Sequence, residues 1–127
     1  MSERDGFSAA ARLASFGHAL RGVRETLRSQ PNAWFHGLAT VVVVALGLWL
    51  GVGSREWSAL VLAITAVWVA ELLNTALEQL CDVASPEFHP GVGRAKDAAA
   101  AGVLVAAVGA TVVGLLVLGP PLLAKIG

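Results

Sequence analysis

The chain has 127 residues, 56% of them hydrophobic and only 14% charged, with nine basic and nine acidic side chains in balance. That is the length of one domain, and it is far more apolar than a water-soluble domain needs to be. It offers neither the basic stripe of a nucleic-acid binder nor an acidic tail, and its lone cysteine, Cys81, excludes an internal disulfide or a multi-thiolate metal site.

From Phe7 to Leu27 the apolar residues Leu13, Phe16, Leu20, Val23 and Leu27 recur at spacings of three and four, with Arg12, Arg21, Arg24 and Arg28 on the other faces. This pattern predicts an amphipathic helix over residues 7–29. Because apolar spans follow at once, it is expected to lie on an anionic membrane surface rather than in a soluble bundle. Arg4, Asp5 and Arg12 interrupt the apolar core that a signal peptide requires, so the mature chain is expected to begin near Met1. Ser29-Gln30-Pro31-Asn32 ends the helix: proline disfavours helical backbone in the residue before it and suits the first turn of a new helix.

Trp34, Phe35 and His36 read as an interfacial belt opening a first span over about 34–53. A short turn through Arg55 and Glu56 leads to a second span over about 57–82. Residues 83–96, punctuated by Pro86, Pro90, Gly91 and Gly93, are predicted to be the one long polar loop, ending in Gly93-Arg94-Ala95-Lys96-Asp97. A third span over about 97–118 is rich in the small residues that let membrane helices approach closely. Gly119-Pro120-Pro121 is expected to stop it and Lys125 to anchor its end. The fold class is therefore an all-α membrane protein, a surface helix followed by three transmembrane helices in one domain. Basic residues concentrate on the first helix and the Arg94/Lys96 loop, which the positive-inside rule places in the cytoplasm together with the N-terminus.

The second span carries Glu71, Asn74, Glu78 and Asp82 at i, i+3, i+7 and i+11, one narrow stripe of a helix. Carboxylates within an apolar span are costly and point to function by default. At the cytoplasmic end, beside Arg94 and Lys96, they supply the parts for metal-assisted phosphoryl transfer. Magnesium needs only one or two carboxylates besides substrate phosphates, basic groups neutralise phosphate, and a carboxylate can take a proton from an attacking hydroxyl. The same residues would serve an oligomeric protein conducting protons or cations through Glu71 and Glu78, so composition leaves both open. For Glu71 the structural alternative is a paired or neutral buried acid, and for Asp82 a helix-end carboxylate paired with Arg94. Neither a P-loop nor a protein-kinase signature occurs, and Gly91-Val92-Gly93 reads as a turn. His18, His36 and His89 are too scattered for a helical metal pair. Trp49, Trp57 and Trp68 are expected to face lipid or pack, and Thr75 to bond back to its own helix.

The run Glu71-Leu72-Leu73-Asn74-Thr75-Ala76-Leu77-Glu78, Asp82, then Pro86-Glu87-Phe88-His89-Pro90 and Ala95-Lys96-Asp97 closely resembles the signature of the prokaryotic diacylglycerol kinase and undecaprenol kinase family, over nearly the whole chain. The resemblance implies a homotrimer in the bacterial inner (cytoplasmic) membrane, with active sites between subunits, that uses ATP and Mg2+ to phosphorylate a lipid alcohol. By position in the motif, Glu71 resembles the general base, Asn74 a residue that orients its neighbours, and Glu78 the magnesium-binding carboxylate. Glu87, Phe88 and His89 match the nucleotide-contacting loop, Lys96 and Asp97 the phosphate-engaging pair, and His18 a position near the adenine; Arg94 joins Lys96 in cradling phosphates. The acceptor is undecaprenol or diacylglycerol, and the Pro-Glu-Phe-His-Pro loop looks slightly more like the undecaprenol branch. One departure stands out. Gln30 occupies the place where related chains commonly have a second metal-binding glutamate, and Glu25, five residues back, points about 140° away on a helix. A Gln carbonyl ligates a hard cation without adding charge, so the protein's own hold on magnesium is expected to be weaker.

Overall fold

The computed structural model describes residues 8–127 as four helices: α1 (Ala9–Ser29), α2 (Pro31–Leu50), α3 (Ser54–Ala84) and α4 (Pro90–Ile126). Phe7, the expected start of the surface helix, lies outside the described residues, as do Met1, Arg4 and Asp5. Ser8 caps α1, its hydroxyl accepting the Ala11 N–H at 3.1 Å. Gln30 then breaks the helix in an extended conformation, φ −115° and ψ 108°, as a residue preceding proline should, and Pro31 begins α2. The apolar stripe of α1 is not used within the subunit: Leu13, Phe16 and Leu20 are 71%, 70% and 70% exposed. A helix packed into a bundle would have buried it. Thr26, 2% exposed, is where α1 meets the remaining helices.

The turn from α2 to α3 depends on Gly51, whose φ of 65° is left-handed, so that the Val52 N–H reaches the Gly47 carbonyl at 3.2 Å. Gly47 itself leaves room for the Trp57 indole; a Cβ there would sit 2.7 Å from Trp57 Cη2. Two turns deeper the Trp68 Nε1–H donates to Thr40 Oγ1 at 3.0 Å, and Thr40 Oγ1–H donates to the His36 carbonyl at 2.7 Å. These contacts fix the antiparallel register of α2 against α3, and they show two of the tryptophans packing.

Two expectations need correcting. The long polar loop is only residues 85–89, because α3 continues to Ala84 and α4 starts at Pro90. Proline is well suited to a first helical turn, and the His89 ring caps it, Nδ1 accepting the Gly91 N–H at 3.0 Å. Arg94, Lys96 and Asp97 therefore stand on the first two turns of α4 rather than on a loop. Nor does Gly119-Pro120-Pro121 stop α4, which runs on to Ile126 with both prolines inside it. Proline's fixed φ is helical, Gly119 has no Cβ to meet the Pro120 ring, and only the hydrogen bonds to two carbonyls one turn back are forfeited. Lys125 ties this end to α2, its ammonium donating to the Trp49 carbonyl at 3.3 Å and lying 4.5 Å from the Trp49 ring centroid.

The helices α2, α3 and α4 are each long and apolar enough to cross a membrane. Among the described residues the buried apolar side chains are Ala33, Leu60, Val67, Val103 and Leu118, a core too small to hold four helices together in water. In lipid the apolar exterior needs no protein cover, and packing of small residues suffices.

Candidate active site

Most of what is polar and buried in this protein lies in one place. Glu71 is 1% exposed, and Asn74 and Thr75 are buried beside it in the middle of α3. Thr75 satisfies itself, its hydroxyl donating to the Glu71 carbonyl at 2.9 Å as expected. The Glu71 carboxylate does not: among the described residues neither of its oxygens has a hydrogen-bond partner, and neither does Asn74 Oδ1. Facing it from α2 is His36, whose Nε2 lies 3.4 Å from Glu71 Oε2. A buried carboxylate with unsatisfied oxygens is expensive, so the site is built for something other than stability.

Glu71 and Asn74 open onto a cleft of about 280 Å³ whose walls include Asn32 and His36 on α2 and Ala100, Val103 and Ala107 on α4. Ala100 lies one turn beyond Asp97, so the carboxylate and the Arg94-Ala95-Lys96-Asp97 segment share one end of the bundle. Beyond His36 and Ala107, which line both, a second and almost wholly apolar groove of about 370 Å³ runs between α2, α3 and α4 toward Leu46 and Leu122. Small residues, among them Ala39, Ala63, Ala110 and Gly114, give the groove its depth.

Two turns along α3, about 10 Å from Glu71 at the usual helical rise, the half-buried Glu78 accepts a hydrogen bond of 2.8 Å from Gln30 Nε2. The break between α1 and α2 thus delivers Gln30 to the carboxylate stripe. Its amide nitrogen is engaged by Glu78, which leaves Oε1 as its one oxygen for a cation. No group of three or more His, Cys, Asp or Glu side chains gathers among the described residues. One carboxylate and one amide oxygen do not make a self-sufficient site, but they fit a magnesium ion that arrives with most of its ligands supplied by nucleotide phosphates.

Asp82, at the exposed end of the stripe, pairs with Lys96 and not with Arg94: Lys96 Nζ donates to Asp82 Oδ1 at 2.7 Å. The antiparallel hairpin brings these two side chains level, while Arg94, half a turn away, points to solvent. The hydrogen bond to Asp82 raises the Lys96 pKa above its usual value, with burial acting the other way, so the ammonium stays charged at neutral pH. The other residues expected at the nucleotide are at the surface. Phe88 is 90% exposed, Glu87 and Asp97 are exposed, His89 spends Nδ1 on its helix cap, and the exposed His18 contacts Arg21. His36 is the residue that sequence reasoning misplaced. It reads as part of an interfacial aromatic belt, yet its ring turns inward to Glu71, and a histidine two positions after a tryptophan carries no signal of that.

The family model for prokaryotic diacylglycerol kinase matches residues 17–118. The chain is 41% identical over 108 residues to the undecaprenol kinase of Bacillus subtilis, covering 85% of this chain and 88% of that protein. It is 38% identical over 112 residues to a diacylglycerol kinase of Synechocystis, covering 87% and 64% respectively, and 29% identical over 106 residues to the diacylglycerol kinase of Escherichia coli, covering 84% and 87%. The chain belongs to the prokaryotic diacylglycerol kinase family. It is accordingly an enzyme, a lipid kinase of a bacterial membrane with ATP as its phosphate donor, and the ion-conduction alternative finds no support.

Proposed function

We propose that this protein transfers the γ-phosphoryl group of ATP to the hydroxyl of undecaprenol or diacylglycerol at the cytoplasmic face of the bacterial inner membrane. The observation that carries this reading is a buried, unsatisfied carboxylate in a cleft that adjoins, through His36 and Ala107, an apolar groove. Glu71 takes the proton of the lipid hydroxyl as that oxygen attacks phosphorus, and Asn74 orients the groups around it. The hydrocarbon tail lies in the apolar groove, for which water-soluble acceptors have no use. Glu78 and the Gln30 carbonyl would hold magnesium, which would supply neutralisation of phosphate charge. The family resemblance and the fit of this donor pair support that assignment.

Lys96 and Arg94 draw the phosphates to the start of α4, Lys96 exchanging Asp82 for phosphate when nucleotide arrives. His18, Glu87, Phe88, His89 and Asp97 complete the nucleotide site; the family resemblance supports this, together with the exposure of Glu87, Phe88, His89 and Asp97 around the start of α4. Little covalent chemistry is asked of the protein, since positioning and charge neutralisation supply most of the rate in phosphoryl transfer. The resemblance favours a homotrimer, and the thin apolar cover within one subunit is consistent with partners on its flanks. The basic residues of α1 and of the start of α4 favour a cytoplasmic N-terminus.

The test is ATP turnover by purified protein in lipid vesicles. Phosphorylated lipid should form only when a lipid alcohol and magnesium are present, and Glu71→Gln should lower kcat by roughly 10²- to 10⁴-fold, the usual worth of a general base. A fully active variant removes Glu71 from the role. With both acceptors in one assay, undecaprenol is expected to be used in preference, as the Pro86-Glu87-Phe88-His89-Pro90 loop and the similarity to an undecaprenol kinase suggest.

A further inference from the structure

We infer that His36 is a positioning residue for Glu71, its Nε2–H donating to Glu71 Oε2 so that Oε1 is presented to the lipid hydroxyl. The inference deepens the proposed function and rests on Glu71 being the base. A carboxylate that is 1% exposed must be given a donor by its surroundings if it is to be ionised and ready to accept a proton. His36 is the nearest nitrogen that can do this, at 3.4 Å from Oε2. That separation is slightly longer than a hydrogen bond, and such contacts often tighten only when substrate is bound.

The backbone that carries His36 is also held against α3. The His36 carbonyl accepts from Thr40, which accepts from Trp68, so α2 is pinned to α3 one turn from the His36–Glu71 contact. Opposite His36 and Glu71 the pairs Thr40/Trp68 and Gly47/Trp57 continue the same antiparallel register. Its 16% exposed side chain lines both the cleft and the apolar groove, which places it where the polar head of a lipid gives way to its tail.

Among the described residues no other ionisable side chain lines the cleft. From α2 the cleft receives Asn32, Phe35 and His36; from α3, Glu71 and Asn74, with Glu78 two turns away; from α4, Ala100, Val103, Leu104 and Ala107. In the reaction the lipid O–H bond breaks and an Oε1–H bond forms on Glu71. The hydroxyl oxygen's electron pair makes the new bond to the γ-phosphorus of ATP, and the bond from that phosphorus to the ADP oxygen breaks. His36 keeps its proton throughout.

The experiment compares His36→Leu and His36→Gln in vesicles with ATP, magnesium and either lipid alcohol, with Glu71→Gln alongside. His36→Leu should lower kcat roughly ten- to hundred-fold, the worth of one hydrogen bond to a charged group, with the KM for ATP within about twofold of the parent. His36→Gln, which still offers an N–H, should stay within about fivefold. Normal kcat in His36→Leu, or equal losses in the two variants, overturn the inference. Should His36→Leu fail to give folded protein by size exclusion in detergent, His36→Ala with added imidazole decides: recovery of activity is expected, and its absence overturns the assignment. Activity in Glu71→Gln would instead remove the base itself, whereas an inactive Glu71→Gln beside unaffected His36 variants would remove only the role of His36.

Discussion

Replacing Gln30 by glutamate puts a second carboxylate where an amide now donates to Glu78 at 2.8 Å. The change removes a hydrogen bond to a charged group, worth about 1.5–3 kcal/mol. It also sets two negative charges some 4 Å apart, a repulsion of up to about 4 kcal/mol at an effective dielectric constant of 20. Both side chains are only half buried, so solvent and salt will screen much of that repulsion. If roughly half survives, the metal-free protein carries about 2 kcal/mol of strain that a divalent cation between the carboxylates relieves. At 1.4 kcal/mol per tenfold change, apparent magnesium affinity should tighten about ten- to hundredfold. The assay is a magnesium titration of lipid phosphorylation at fixed ATP, paired with thermal unfolding in detergent with and without magnesium. The variant should reach half-maximal rate at lower magnesium and be less stable than the parent only when chelator is present. Unchanged magnesium dependence together with unchanged metal-free stability would refute both the Gln30–Glu78 contact and its place in metal binding.

Other consequences follow from packing. Gly47→Ala drives a Cβ to 2.7 Å from the Trp57 ring and should cost about 1–3 kcal/mol, seen as a lower midpoint in thermal unfolding and partly recovered by adding Trp57→Leu. Ala110→Phe, on the wall of the apolar groove, should raise the KM for the lipid alcohol several-fold while the KM for ATP stays put; an equal rise in both would show that the groove is not where the tail lies.

Much of this protein is legible from its sequence because membrane burial leaves a strong mark. A run of apolar residues long enough to cross hydrocarbon has few alternatives to a helix, so the three spans and the break at Gln30-Pro31 could be located from the chain alone. The stripe Glu71, Asn74, Glu78 follows from helical periodicity, and an acid inside such a span identifies itself by its cost. Helix ends were harder. Pro90, Pro120 and Pro121 look alike as punctuation, yet Pro90 begins a helix and the other two sit inside one, because the outcome depends on which carbonyls and caps lie nearby in space. What only the tertiary structure decided is which side chains face one another across helices. That His36 meets Glu71, Gln30 meets Glu78 and Lys96 takes Asp82 depends on the antiparallel register of α2, α3 and α4. Between α2 and α3 that register is set by the fit of the Trp57 and Trp68 indoles against Gly47 and Thr40, a matter of shape between distant residues that no local spacing encodes.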